Sequence, residues 1–129
     1  MKNIVKLVAI VFLFQSFQCE EDRGDRNKKG QFEKLQNEKQ EILDYIASVP
    51  CDETSGCNFI AFGSKPCGGP WEYLVYSNAI DINLLTNLVN NYNSDEAQYN
   101  ELYNIYSDCT VVDPPENIEC IDGICSIIQ

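Results

Sequence analysis

Seven cysteines, at positions 19, 51, 57, 67, 109, 120 and 125, leave one over if the others pair. An odd cysteine in an exported chain needs its own explanation. This chain opens like an exported one. Residues 1–18, MKNIVKLVAIVFLFQSFQ, carry Lys2 and Lys6, then an apolar run from Leu7 to Phe14. That order is a secretory signal peptide, and the run is too short to span a bilayer. Cys19 stands directly after it, before the charged stretch EEDRGDRNKKG. Such a stretch buries no apolar area and reads as a flexible tether. The expected organisation is a signal peptide over 1–18, Cys19 and its tether over 19–30, and a disulfide-rich domain over 31–129.

The junction SFQC resembles a loose bacterial lipobox, with Ser16 and Gln18 where a leucine and a small residue are usual. The CEED that follows, Cys19 to Asp22, is similar to the acidic export signal of surface lipoproteins of the Bacteroidota. The resemblance implies lipidation of Cys19 and an outer-membrane anchor, with surface exposure; an ordinary secreted protein is the alternative. Acylation of Cys19 removes the odd cysteine. Cys51, Cys57, Cys67, Cys109, Cys120 and Cys125 can then form three disulfides, with 15 pairings open.

Charge and composition exclude several functions. Twenty acidic against nine basic residues give a net charge of −11. That charge repels phosphate backbones and anionic lipid, so nucleic acid is not an expected partner. Histidine is absent, which removes the usual general base and the commonest transition-metal ligand. The cysteine spacings of x5, x9, x41, x10 and x4 contain no C-x2-C pair. No D-x-D-x-D-G calcium loop occurs either. No metal or other cofactor is expected. Ser64 and Lys65 are adjacent in a stapled loop, where a working dyad is hard to assemble. A carboxylate-based hydrolase is the remaining enzymatic alternative, but nothing ranks one acidic pair above another.

The domain pattern is mixed. Phe32, Leu35, Ile42, Leu43, Ile46 and Val49 recur on one helical face, with Lys39 in the gap of the stripe and Pro50 ending the helix. CNFIAFG (57–63) and WEYLVYS (71–77) read as an antiparallel hairpin joined by SKPCGGP. Its alternation puts Cys57, Phe59 and Ala61 on one face and Ile60 and Phe62 on the other. A second helix starts at the N-cap Asp81. Its stripe is Leu85, Leu88, Val89, Tyr92, Tyr99, Leu102, Tyr103 and Tyr106, as one helix or two in line. Asp122-Gly123 between apolar runs is a type I′ turn, pairing Ile121 with Ile124 and Cys120 with Cys125. The two cysteines either bond each other or point inward toward Cys57, Cys67 or Cys109. The fold class is α+β: two helices on an antiparallel sheet of about four strands, stapled by disulfides.

Two loops are the candidate recognition elements. GSKPCGGPW offers Lys65, Pro66 and Trp71. SDCTVVDPPEN, extended by its two prolines and held at Cys109, offers Thr110, Val111 and Val112. A cysteine-anchored extended loop is preorganised, which lowers the entropic cost of binding. The pattern C-x9-CGGP-x2-Y, SDC, P-x4-C-x4-C, from Cys57 to Cys125, resembles small exported lipoproteins of the Bacteroidota. The potempins, lipoprotein protease inhibitors of that phylum, are similar in size, anchoring and context. The resemblance implies a non-catalytic protein-binding domain at the envelope, with a protease as the sharpest candidate partner. A structural or small-ligand-binding lipoprotein is the alternative.

Overall fold

A computed structural model of the chain describes residues 21–128. The expected signal peptide over 1–18 and the expected lipidation point at Cys19 lie outside the described residues. The chain divides into two units at Phe32 and Glu33. The described part of the first belongs to helix α1 (Glu21–Ala47); the second carries the rest of α1, hairpin β1 (Cys57–Phe62) and β2 (Glu72–Ser77), helix α2 (Ile82–Leu102), and hairpin β3 (Ile118–Ile121) and β4 (Ile124–Ile127).

Helix α1 begins well before Phe32, so residues 21–30, expected as a flexible tether, are helical. Apolar periodicity could not reveal this, because the segment has no apolar residue. It has no β-branched residue either, and Asp25 precedes Lys29 at the favourable i,i+4 spacing. Within the second unit, Leu35 and Ile42 of α1 are buried, with Leu43, Ile46 and Val49 packed beside them. Lys39 fills the gap in that stripe by reaching outward. Its Nζ lies 5.4 Å from the Phe62 ring centre and donates to Glu72 Oε1 at 2.6 Å. The alkyl stem therefore covers apolar surface while the charge finds a carboxylate.

The β1–β2 register pairs Ile60 with Leu74 and Phe62 with Glu72. Phe62, Leu74 and Tyr76 enter the core. Phe59 and Tyr73 meet edge-to-face on the opposite side, with ring centres 5.5 Å apart. Asp81 caps α2 as the sequence indicates, accepting from the Asn83 and Leu84 amides. The helix is continuous through 93–96. Leu85, Val89 and Tyr92 form its buried stripe, and Tyr92 stacks on Phe62 with ring centres 4.4 Å apart. The outer end of the expected stripe does not hold. The helix stops at Leu102, Asn104 turns left-handed at φ 49°, and both Leu102 and Tyr106 are exposed.

The four strands form two separate two-stranded sheets rather than one. At the second turn, Asp122 and Gly123 have φ of 52° and 83°, and Cys120 lies opposite Cys125. Those two cysteines do not bond each other. The disulfides are Cys51–Cys120, Cys57–Cys125 and Cys67–Cys109. The first two pin β3–β4 to the segment that carries Pro50, the 52–56 turn and the start of β1.

Asp52 organises that turn. Its Oδ1 accepts from the Thr54 hydroxyl at 2.7 Å, the Thr54 amide at 2.9 Å and the Ser55 amide at 2.6 Å. These donors, the Thr54 hydroxyl foremost, hold its carboxyl down to about 2. A depressed carboxyl contributes stability above its unfolded value, and loses it as pH falls through the folded one. Asp52→Asn should therefore flatten the acid limb of a stability–pH curve between about pH 4 and pH 2. An unchanged limb would refute this role.

Candidate functional site: two loops tied into one surface

Loop 63–71 leaves β1 through Gly63, at φ 85°. It is then closed by backbone bonds from Lys65 N to Gly69 O, from Gly68 N to Lys65 O and from Trp71 N to Phe62 O, at 2.8–2.9 Å. Helix α2 holds this loop by three polar side chains. Asn93 Oδ1 accepts from the Gly63 amide at 2.7 Å, and Glu96 Oε2 accepts from the Ser64 amide at 2.5 Å. Asn100 Nδ2 donates to Ser64 O at 2.7 Å. Positions 93, 96 and 100 share one helical face, which continues the Leu85–Val89–Tyr92 stripe. Burial pushes the Glu96 carboxyl up, against the Ser64 amide and the Tyr92 hydroxyl that pull it down. Burial also pushes the Tyr92 phenol up, with Glu96 adding to the effect.

The second loop follows α2. Ile105 N donates to Asn100 O at 2.9 Å, and the Thr110 amide donates to Asp108 Oδ1 at 3.1 Å. Cys109 sits in the left-handed region at φ 55°, a conformation that costs a non-glycine residue about 1–2 kcal/mol. Its disulfide to Cys67 joins the two loops across 42 residues of sequence. Ser107 Oγ donates to Cys67 Sγ at 3.3 Å beside it.

Lys65 is the second tie between the loops. Its Nζ donates to Thr110 O at 2.5 Å, lies 3.7 Å from Asp108 Oδ1 and sits 5.1 Å from the Trp71 ring centre. The residue is only 7% exposed, so it braces the loops from within. Such partners offset the desolvation cost of burying an ammonium group. Pro66, Thr110 and Val111 are exposed, and Val112 is half-buried. Val111 is 81% exposed, and Trp71 presents about a third of its surface. The six candidate loop residues thus fall on two loops that are tied together, with Lys65 buried, Val112 half-buried and the other four exposed. Asn93, Glu96 and Asn100 were not singled out by sequence. Their signal is the i, i+3, i+7 spacing of polar residues on a face otherwise committed to the core.

Two cavities flank these elements. A cleft of about 500 Å³ runs between the 64–68 turn and the C-terminal end of α2, reaching Asn104, Ile105 and Tyr106. An apolar pocket of about 230 Å³ lies among Leu43, Ile46, Val75, Tyr76 and Ile124. Three cysteine sulfurs, of Cys51, Cys57 and Cys125, lie within 4.8 Å of one another, but all three are held in disulfides. Among the described residues no helix is long and apolar enough to cross a membrane. No family model matches the chain, and neither does a curated protein nor a solved structure.

Proposed function

We propose that the chain is a cell-envelope lipoprotein, anchored through Cys19, whose folded domain binds a protein partner without catalysis. Inhibition of a protease is the sharpest form of this reading. The observation that carries it is the covalent union of two loops distant in sequence. Cys67–Cys109 and the Lys65 brace tie the segment that carries the exposed Val111 to the loop that carries Trp71. A segment fixed in this way has little loop entropy left to lose on association. The small-ligand alternative is favoured by the cleft of about 500 Å³, which lies within the usual ligand-site range of about 300–1,000 Å³, and less by the apolar 230 Å³ pocket, which falls below it.

The inhibitor form predicts that the intact chain inhibits at least one endopeptidase in a panel of serine, cysteine and metal-dependent enzymes. Failure against the whole panel would remove that form. The anchor predicts incorporation of a labelled fatty acid that Cys19→Ser abolishes; undiminished label in the variant would refute lipidation.

A further inference from the structure

We propose that the cleft at the end of α2 receives an arginine side chain of the protein partner, a proposal that rests on the protein-binding reading above. The cleft's volume of about 500 Å³ is ample for a guanidinium and its stem. Its wall offers acceptors. Asn100 is 92% buried, as its 8% exposure leaves it, and its Nδ2 is taken by Ser64 O. Its Oδ1 accepts from no described residue, and Asn100 lines the cleft. Glu101, one residue on, carries the one carboxylate among the cleft's described lining residues.

The electrostatics point the same way. The cleft sits at the C-terminal, partially negative end of a 21-residue helix whose last turn holds no basic residue. Such an end favours a cation. The one lysine in the lining, Lys65, is spent: its Nζ donates to Thr110 O and faces Asp108. The chain's net charge of −11 steers a basic partner inward. Tyr106, almost fully exposed at the rim, supplies a ring face. Arginine answers these features better than lysine. Its planar fork gives several donors at once, for an amide oxygen and a carboxylate, and it stacks on an aromatic ring.

The test uses the full chain in detergent micelles, titrated at constant ionic strength with the blocked peptide Gly-Arg-Gly. Lysine and glutamine versions of the peptide serve as comparisons. Amide shifts read by NMR should move at Asn100, Glu101 and Asn104 with the arginine peptide. Binding should be at least fivefold weaker with either comparison. Glu101→Gln and Tyr106→Ala, both exposed positions, should each weaken it at least threefold without altering the remaining spectrum. Equal binding of the lysine or glutamine peptide, shifts elsewhere, or an unaffected Glu101→Gln variant would overturn the proposal. Its failure is separable from that of the protein-binding reading. If the peptide does not bind while Val111→Asp still abolishes partner capture, the cleft assignment falls and the loop surface stands.

Discussion

Replacing Cys51, Cys57, Cys120 and Cys125 together by alanine should release the C-terminal hairpin. None of the eight residues of β3 and β4 is fully buried, and Ile124 is 68% exposed. Apolar burial therefore holds this hairpin weakly, and an isolated two-stranded hairpin is marginal in water. Beyond the two disulfides, a backbone bond from Cys51 N to Gly123 O at 3.0 Å ties it down. Each bridge closes nearly seventy residues, and a native disulfide typically contributes roughly 2–4 kcal/mol, toward the upper end for a loop this long. Loss of both should lower stability by several kcal/mol, on the order of the whole margin of a small domain. Hydrogen exchange is the readout. Amides of residues 118–127 should lose protection, while β1–β2 retains more. Unchanged protection in 118–127 would contradict the account.

Gly63→Ala should be the most damaging single substitution in the candidate site. The residue sits at φ 85°, and an added Cβ would lie 2.6 Å from Trp71 Cδ1 and 3.1 Å from Glu96 Oε2. A left-handed non-glycine residue costs about 1–2 kcal/mol, and overpacking adds about 1–3. The expected loss is about 2–5 kcal/mol in a denaturant titration. Trp71 is the sole tryptophan, so its emission reports directly on the displaced ring and should shift. A loss below about 1 kcal/mol with unchanged emission would show that the loop does not need glycine there.

Local chemistry was legible in the sequence; long-range closure was not. Asp81 as a cap, Asp122-Gly123 as a turn and the register of Cys120 against Cys125 follow from rules acting over two to four residues. Disulfide partners do not. Cys120 and Cys125 face each other, yet bond to Cys51 and Cys57 on either side of the Asp52 turn. Only the tertiary arrangement decides that choice. The start of α1 was hidden because its first turns depend on propensity and charge pairing, with no apolar stripe to mark them. At the far end of α2 the opposite error arose. Leu102 and Tyr106 keep the apolar rhythm, but the left-handed Asn104 takes the chain off the helix.

The candidate loops were visible as cysteine-bearing, proline-stiffened segments. Their union was not, since Cys67 and Cys109 are separated by a helix. Lys65 reads in sequence as a candidate recognition residue and is a buried brace in the structure, because Thr110 O, Asp108 and the Trp71 ring converge on it. Asn93, Glu96 and Asn100 resemble ordinary polar helix residues until the loop they hold is placed against them.

The central claim is that the joined loops form one recognition surface. Its most direct test is quantitative capture of partner proteins by the intact chain from extracts and culture medium of the cells that make it. Val111→Asp and Trp71→Ala are compared with the wild type and with Glu41→Ala on the exposed face of α1. The account predicts that proteins retained by the wild type and by Glu41→Ala are lost, at least tenfold, from both loop variants. Equal retention by all four proteins would contradict it.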